Sequence, residues 1–225
     1  MASKKVFLSP SNQYDNTWIK GNTNEMEQNI RLADLLQAHL ERCGITVVRA
    51  DAVRPSERIN CAVGCDFYMP LHTNAFNEKT RGCRLFVYNN KAKYTAKKNA
   101  EALNCIYEFT ENLAMDNTPR KYYDFANWFE LTNADNAKIP SVYAESIFHD
   151  NEDDCDWWFL NIDRLAVAYC KGICKFLGVE YEKPTDVFYR VQVGAYKRRS
   201  YAERMMNDLK ALGYDAFIVE VKKEG

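Results

Sequence analysis

The sequence predicts an α/β fold: a twisted, mostly parallel sheet with helices on both faces, followed by a small C-terminal β-α-β module. Strand-like apolar runs alternate with segments of helical periodicity up to residue 178, the pattern of parallel or mixed sheets. A charged stretch with Pro184 then interrupts it. The 225 residues allow one sizeable core and a small appendage. We therefore expect a first domain over residues 1–178, a linker over 179–186 and a second unit over 187–225.

The elements of the first domain follow in chain order. Residues 5–9 are predicted to form a strand, and Asn24 with Glu27 forms a capping box before a periodic helix that ends at Gly44. Further strands are predicted over residues 45–49, 67–71, 83–88, 128–131 and 142–145, and further helices over 56–64, 92–113 and 157–177.

The C-terminal unit has a different pattern. Apolar and polar side chains alternate over residues 187–193, which predicts a strand. Ser200 and Glu203 form a second capping box, Gly213 ends the predicted helix, and residues 216–221 form a second strand. The unit is about forty residues long, close to the size at which a lone core is marginal.

Composition restricts the partners. The chain has 30 Lys and Arg against 31 Asp and Glu, a net charge of −1, so neither nucleic acid nor a membrane is expected to attract it. Its start enters a strand-like run without the apolar stretch of a signal peptide, so synthesis as a soluble cytoplasmic protein is expected. Eight cysteines are scattered without a Cys-x-x-Cys pair, and we predict buried structural thiols.

Polar residues follow several predicted strands at their carboxyl ends, where α/β sheets carry their sites. Glu and His are ligands of first-row metals, and a further carboxylate beside them could serve as the general base of a hydrolase. Six residues are expected at this edge: Asn12, Gln13, Glu25, His72, Glu145 and His149.

Five motifs give these residues a characteristic order. They are LSPSNQ at 8–13, NE at 24–25, LHTNA at 71–75, RGCRL at 81–85 and VYAESIF at 142–148. In this order, over about residues 5–178, the chain resembles the zinc-dependent N-acetylmuramoyl-L-alanine amidases of bacteria and their phages. The resemblance implies hydrolysis of the bond between N-acetylmuramic acid and L-alanine, with Glu25 and His72 as zinc ligands and Glu145 as the catalytic acid/base.

One position departs from the family pattern. Asn12 stands where the family has its first zinc-binding His, and a neutral amide binds zinc poorly. Either the metal has been lost, leaving a non-catalytic wall-binding protein, or another residue replaces the ligand. We predict His149, four residues past Glu145, although it could instead be a loop histidine bonded to a neighbouring aspartate. Asn12, Gln13 and Asn74 are expected to contact substrate or water.

The C-terminal unit resembles SPOR modules, which bind the glycan strands of peptidoglycan. The resemblance rests on YRVQVGAY at 189–196 and GYDAFIV at 213–219. It implies peptidoglycan as the partner and Gln192 as a contact residue. Such modules usually repeat the β-α-β unit, and a single copy leaves an open sheet edge, so a homodimer paired through this module is expected. The biological setting is expected to be lysis by an endolysin or autolysin that acts on the wall after release.

Overall fold

The chain divides into two compact units, Met1–Pro184 and Thr185–Gly225. A computed structural model describes residues 3–88, 92–111, 113, 128–184, 192–211 and 216–220. The elements of the first unit are β1 (Lys5–Pro10), α1 (Glu25–Arg42), β2 (Thr46–Arg49), α2 (Pro55–Arg58), β3 (Phe67–Asn74), β4 (Arg84–Phe86), α3 (Ala96–Thr110), α4 (Phe129–Asn136), β5 (Tyr143–Phe148) and α5 (Glu152–Leu177).

The five strands form one mixed sheet in the order β2-β1-β3-β5-β4. β1 is parallel to β2 and β3, β3 is parallel to β5, and only β4 runs antiparallel within this sheet. The predicted mostly parallel α/β fold is therefore confirmed. Because β1, β3 and β5 are neighbours, their carboxyl ends meet at one edge, where His72 is the register partner of Glu145.

Helices cover both faces of the sheet. On one face, Leu36 of α1, Ile106 of α3 and Leu165 of α5 belong to the main core with side chains from β1, β3 and β5. Gly172 of α5 lies so close to α3 that an added Cβ would be 2.4 Å from the Cα of Ile106. On the opposite face, Ala134 of α4 belongs to a smaller core with Phe7 and Tyr68.

The structure corrects two predicted elements. Residues 128–131 were expected to form a strand, but α4 begins at Phe129; Leu131 and Ala134, three residues apart, are both buried on one face of this helix. The helix expected over 56–64 is the single turn Pro55–Arg58. α5 begins earlier than predicted, because the Asn151 side chain accepts the Asp154 N–H and caps it.

The second unit contains helix α6 (Arg199–Ala211). Most of the strand predicted over 187–193 lies outside the described residues, and 216–220 have no regular secondary structure. Among the helices that the structure describes, none is long and apolar enough to span a membrane.

Candidate active site

The centre of the site is a contact between a histidine and a glutamate from different elements. β3 carries His72 to the carboxyl edge of the sheet, and Glu25 is the first residue of α1. The Nδ1 atom of His72 lies 2.9 Å from Oε1 of Glu25. Asn16 donates a hydrogen bond of 2.8 Å to the other oxygen of Glu25. Both members of the pair are buried, so the carboxylate is held in place on both oxygens.

A second carboxylate, Glu130 from the first turn of α4, holds the other side of the imidazole. Its Oε2 atom lies 3.2 Å from Nε2 of His72, while Oε1 accepts hydrogen bonds of 2.7 Å from Ser9 and Tyr68. Because residues 128–131 were expected to form a strand, Glu130 was not among the site residues expected from the sequence. The signal that could have found it is a lone Glu within the apolar run Trp128 to Leu131, since a buried carboxylate needs partners.

The charges at this centre compensate one another. Burial opposes a charge on His72, but its hydrogen bonds with Glu130 and Glu25 outweigh burial and raise the pKa of His72 to about 10. Burial acts to raise the pKa of both glutamates, but the hydrogen bonds with His72 hold both values below the usual range. Below this triad, the buried guanidinium of Arg58 donates to Ser9 Oγ at 2.9 Å. The centre thus holds two cations against two anions.

Glu145 lies beside this triad without sharing its hydrogen bonds. Its Oε2 atom is buried and has no hydrogen-bond partner among the described residues. Burial raises the pKa of Glu145 to about 8; the charge on His72 opposes this shift and that of Glu25 adds to it. Tyr143, two residues earlier on β5, stacks on the His72 ring with centroids 4.6 Å apart. Glu145 is therefore a carboxyl group with one oxygen that has no hydrogen-bond partner among the described residues and with a pKa close to neutrality. General acid–base catalysis requires such a pKa.

Gln13 completes a triangle of polar atoms with Glu25 and His72. Its Nε2 atom lies 3.4 Å from Oε1 of Glu25 and 3.5 Å from Nδ1 of His72. Ligand atoms about 2.0–2.1 Å from a tetrahedral Zn²⁺ are about 3.3 Å apart, so the triangle has the right size. Rotation of the Gln13 amide would present its oxygen instead of its nitrogen. Glu130 lies behind Nε2 of His72, the position that a carboxylate often takes behind a zinc-binding histidine. These residues fit a divalent metal, although an amide is a weaker ligand than imidazole.

The structure does not bring His149 to this centre. Its Nδ1 atom lies 3.0 Å from Oγ1 of Thr73, and its ring stacks on Trp18. Successive residues of a strand point to opposite faces, so Thr73, and His149 with it, lie on the face opposite His72. In the described part of the chain, no third His, Cys, Asp or Glu joins Glu25 and His72 with all ligand atoms within 4.8 Å of one another. The ligand role of His149 stays a prediction that these contacts do not support.

The remaining predicted contact residues have different positions. Asn12 is exposed, next to Gln13 in the loop after β1. Asn74 ends β3, and its side chain accepts the backbone N–H of Ala75 at 2.8 Å. Gln192, in the second unit, is exposed. Of the predicted set, the structure gathers Gln13, Glu25, His72 and Glu145 at one edge.

An imidazole and several carboxylates at the carboxyl edge of an open sheet place the chain among α/β enzymes that act at that edge. Residues 11–175 match the N-acetylmuramoyl-L-alanine amidase family, and residues 176–225 match the SPOR domain. The chain therefore belongs to the N-acetylmuramoyl-L-alanine amidase family and carries a SPOR domain. The resemblance inferred from the motifs is confirmed.

Solved amidase structures share the fold. The CwlD amidase of Clostridioides difficile, solved in complex with the GerS lipoprotein, is 21% identical over 78% of this chain and 99% of that one, with a TM-score of 0.66. An amidase from Clostridium difficile 630 is 18% identical, with coverages of 78% and 97% and a TM-score of 0.67. The catalytic domain of the CD27L endolysin, which targets the same species, is 22% identical, with coverages of 76% and 97% and a TM-score of 0.54. The comparison with curated proteins found no match. None of these comparisons supports the homodimer that was expected from the sequence.

Proposed function

We propose that the chain hydrolyses the amide bond between N-acetylmuramic acid and L-alanine in peptidoglycan, with Zn²⁺ as cofactor. Family membership supports the amidase activity. The observation that carries the proposal is the buried Glu25–His72–Glu130 triad with the unpartnered oxygen of Glu145 beside it. A hydrolytic zinc site needs three ligands, an orienting group behind the histidine and a nearby base; Glu25 and His72 supply two ligands, Glu130 is the orienting group and Glu145 is the nearby carboxyl group.

Glu25 and His72 would hold the metal. For the third ligand, the distances favour the Gln13 side chain over His149, because Gln13 already lies within 3.5 Å of both ligand atoms. When bound, Zn²⁺ supplies Lewis-acid chemistry that acidifies water and polarises a carbonyl oxygen. On metal binding His72 would lose its Nδ1 proton, while Glu130 would keep the other proton on Nε2, so that Nδ1 presents its lone pair to the side of Glu25.

Glu145 is the proposed general base and acid. Its open carboxylate oxygen takes a proton from the attacking water and returns it to the amine nitrogen of the departing L-alanine. Because water is the nucleophile, no covalent bond to the enzyme forms. Ser9 and Tyr68 hold Glu130 in place through hydrogen bonds to its Oε1 atom, and Arg58 in turn donates to Ser9.

The SPOR match supports a second role for the chain, binding to glycan strands through residues 176–225. Gln192 stays the proposed contact in this region. Binding at a second point raises the effective concentration of the catalytic unit at the wall. Lysis of cell walls by an endolysin or autolysin released from the cytoplasm is the setting that we propose.

The decisive experiment compares Glu145→Gln with wild type on a soluble muropeptide while zinc content is measured. We expect equal zinc and at least a 100-fold loss of turnover, because an amide cannot carry the proton. Glu101→Gln, an exposed carboxylate on α3, is the matched control and should retain full activity. Turnover of Glu145→Gln near that of wild type would contradict the proposed base. A wild-type chain that binds walls but contains no zinc and releases no L-alanine would instead be a non-catalytic wall-binding protein.

A further inference from the structure

Three buried cysteines from two helices meet at the end of α1 that is remote from Glu25. Cys43 is the C-cap of α1, and Cys170 and Cys174 lie one turn apart on α5. The Sγ atom of Cys170 lies 3.9 Å from that of Cys43 and 3.9 Å from that of Cys174. All three Sγ atoms lie within 4.8 Å of one another. The three thiols therefore form a compact triangle, held by two packed helices.

The dimensions of this triangle match those of a metal–thiolate site. Zn–S bonds of about 2.3 Å place three thiolates about 3.8–4.0 Å apart. Each of the two measured edges falls within this range. Soft thiolate ligands select metals such as Zn²⁺ and Cu⁺ over hard cations. The sequence prediction of structural thiols rested on the missing Cys-x-x-Cys spacing, but here helical spacing on α5 and the fold supply the proximity.

Burial raises the pKa of the Cys43 thiol, and the backbone of Glu182 acts against this shift. The backbone N–H of Glu182 donates to its Sγ atom at 3.4 Å, and hydrogen bonds to the charged form stabilise that form. The carbonyl oxygen of Glu182 lies 4.0 Å from the same sulfur and accepts a hydrogen bond from Arg42. The Glu182 N–H would therefore stabilise the Cys43 thiolate once a metal displaces its proton.

We propose that Cys43, Cys170 and Cys174 form a three-thiolate binding site for a thiophilic d¹⁰ metal ion, with Zn²⁺ as the natural occupant. Binding breaks three S–H bonds, forms three Zn–S bonds and releases three protons to the solvent. No electron is transferred. The metal would tie the end of α1 to α5 and would hold Cys43 beside the segment that contains Glu182.

This site is independent of the amidase centre. Glu25 is the first residue of α1 and Cys43 is its C-cap. A helix of 18 residues is about 27 Å long, so the two places lie at opposite ends of it. The amidase proposal needs no cysteine, and the thiolate site needs none of the catalytic carboxylates. Failure of either proposal would leave the other standing.

Cd²⁺ is a suitable probe, because its bonds to thiolates give a charge-transfer absorption in the near ultraviolet that oxygen and nitrogen ligands do not give. The reduced, full-length Glu25→Gln variant is titrated, so that the amidase centre contributes little binding. We expect the absorption to saturate at one Cd²⁺ per chain. Alkylation under partly denaturing conditions, followed by mass spectrometry, should show protection of Cys43, Cys170 and Cys174 only when Cd²⁺ is present, with labelling of the exposed Cys61 in either case.

Matched variants give the second measurement. Cys43→Ala removes the thiol at the helix end and should weaken Cd²⁺ binding at least tenfold, while Cys61→Ala should bind like its parent. Absence of the charge-transfer band, or equal binding by both variants, would overturn the proposal. A disulfide between Cys43 and Cys170, seen by mass spectrometry as a mass lower by two hydrogens, would also overturn the proposal. The triangle would then be a pair of thiols placed for oxidation. If Cys43→Ala fails to fold, the alkylation pattern of the parent protein still decides.

Discussion

Glu130→Gln is expected to weaken zinc binding by about 10- to 100-fold, the usual effect of removing a carboxylate behind a metal-bound histidine. Oε1 of Glu130 accepts hydrogen bonds from Ser9 and Tyr68, and the amide oxygen of the variant should keep these two bonds. Its NH₂ group would then face Nε2 of His72, where it meets another donor. His72 must move its proton to Nδ1, and Nδ1 can then no longer bind a metal.

The loss corresponds to about 1.4–3 kcal/mol of binding free energy. Competition with a chromophoric chelator measures the zinc dissociation constant, and a thermal melt verifies that the variant is folded. Glu101→Gln again serves as the control for the loss of one negative charge. A folded Glu130→Gln protein with the zinc affinity of wild type would refute the argument, because His72 would then keep its tautomer without the carboxylate.

Three further predictions test the site and the domain organisation. In metal-free protein, the folded-state pKa of Glu145, about 8 against an ordinary 4.5, means that wild type loses stability as pH rises from 4.5 to 8. The loss in the free energy of unfolding is at most about 5 kcal/mol, and Glu145→Gln should lack it. If the free energy of unfolding, measured by denaturant titration, changes with pH equally in the two proteins across this range, the prediction is wrong. Gln13→Ala should lower zinc affinity more than Asn12→Ala or His149→Ala, measured by the same chelator competition. If only His149→Ala lowers zinc affinity, His149 is the third ligand, as predicted from the sequence. Removal of residues 187–225 should leave muropeptide turnover unchanged but slow the lysis of whole walls, and equal rates on walls would show that this region does not contribute.

The fold could be predicted from sequence because each strand and helix carries its own hydrophobic period. The capping box at Asn24 and the apolar spacing behind it set the start of α1 within one residue. Short elements were harder, since the three apolar residues Trp128, Phe129 and Leu131 satisfy a strand or a helix equally. There the packing of Leu131 and Ala134 decides the outcome, and this packing involves residues distant in sequence.

Only the site residues that lie within the family motifs could be predicted from the sequence. Glu25, His72 and Glu145 stand at motif positions. Glu130 contacts His72 across 58 positions of the chain, and no local spacing reports such a contact. His149 has a plausible distance in sequence from Glu145, but the alternation of side chains along β3 places it with Thr73 on the other face.

The imidazolium between two carboxylates also bears on how this protein is made. Hydrogen bonds with Glu130 and Glu25 raise the pKa of His72 to about 10, which favours a protonated imidazole at this point in the metal-free domain. Zinc fingers, by contrast, remain unfolded until zinc neutralises their ligands. Under the zinc mechanism that we propose, folding and metal loading would be separate events: the metal-free chain would be folded but inactive, and binding of zinc at Nδ1 of His72 would release a proton to the solvent.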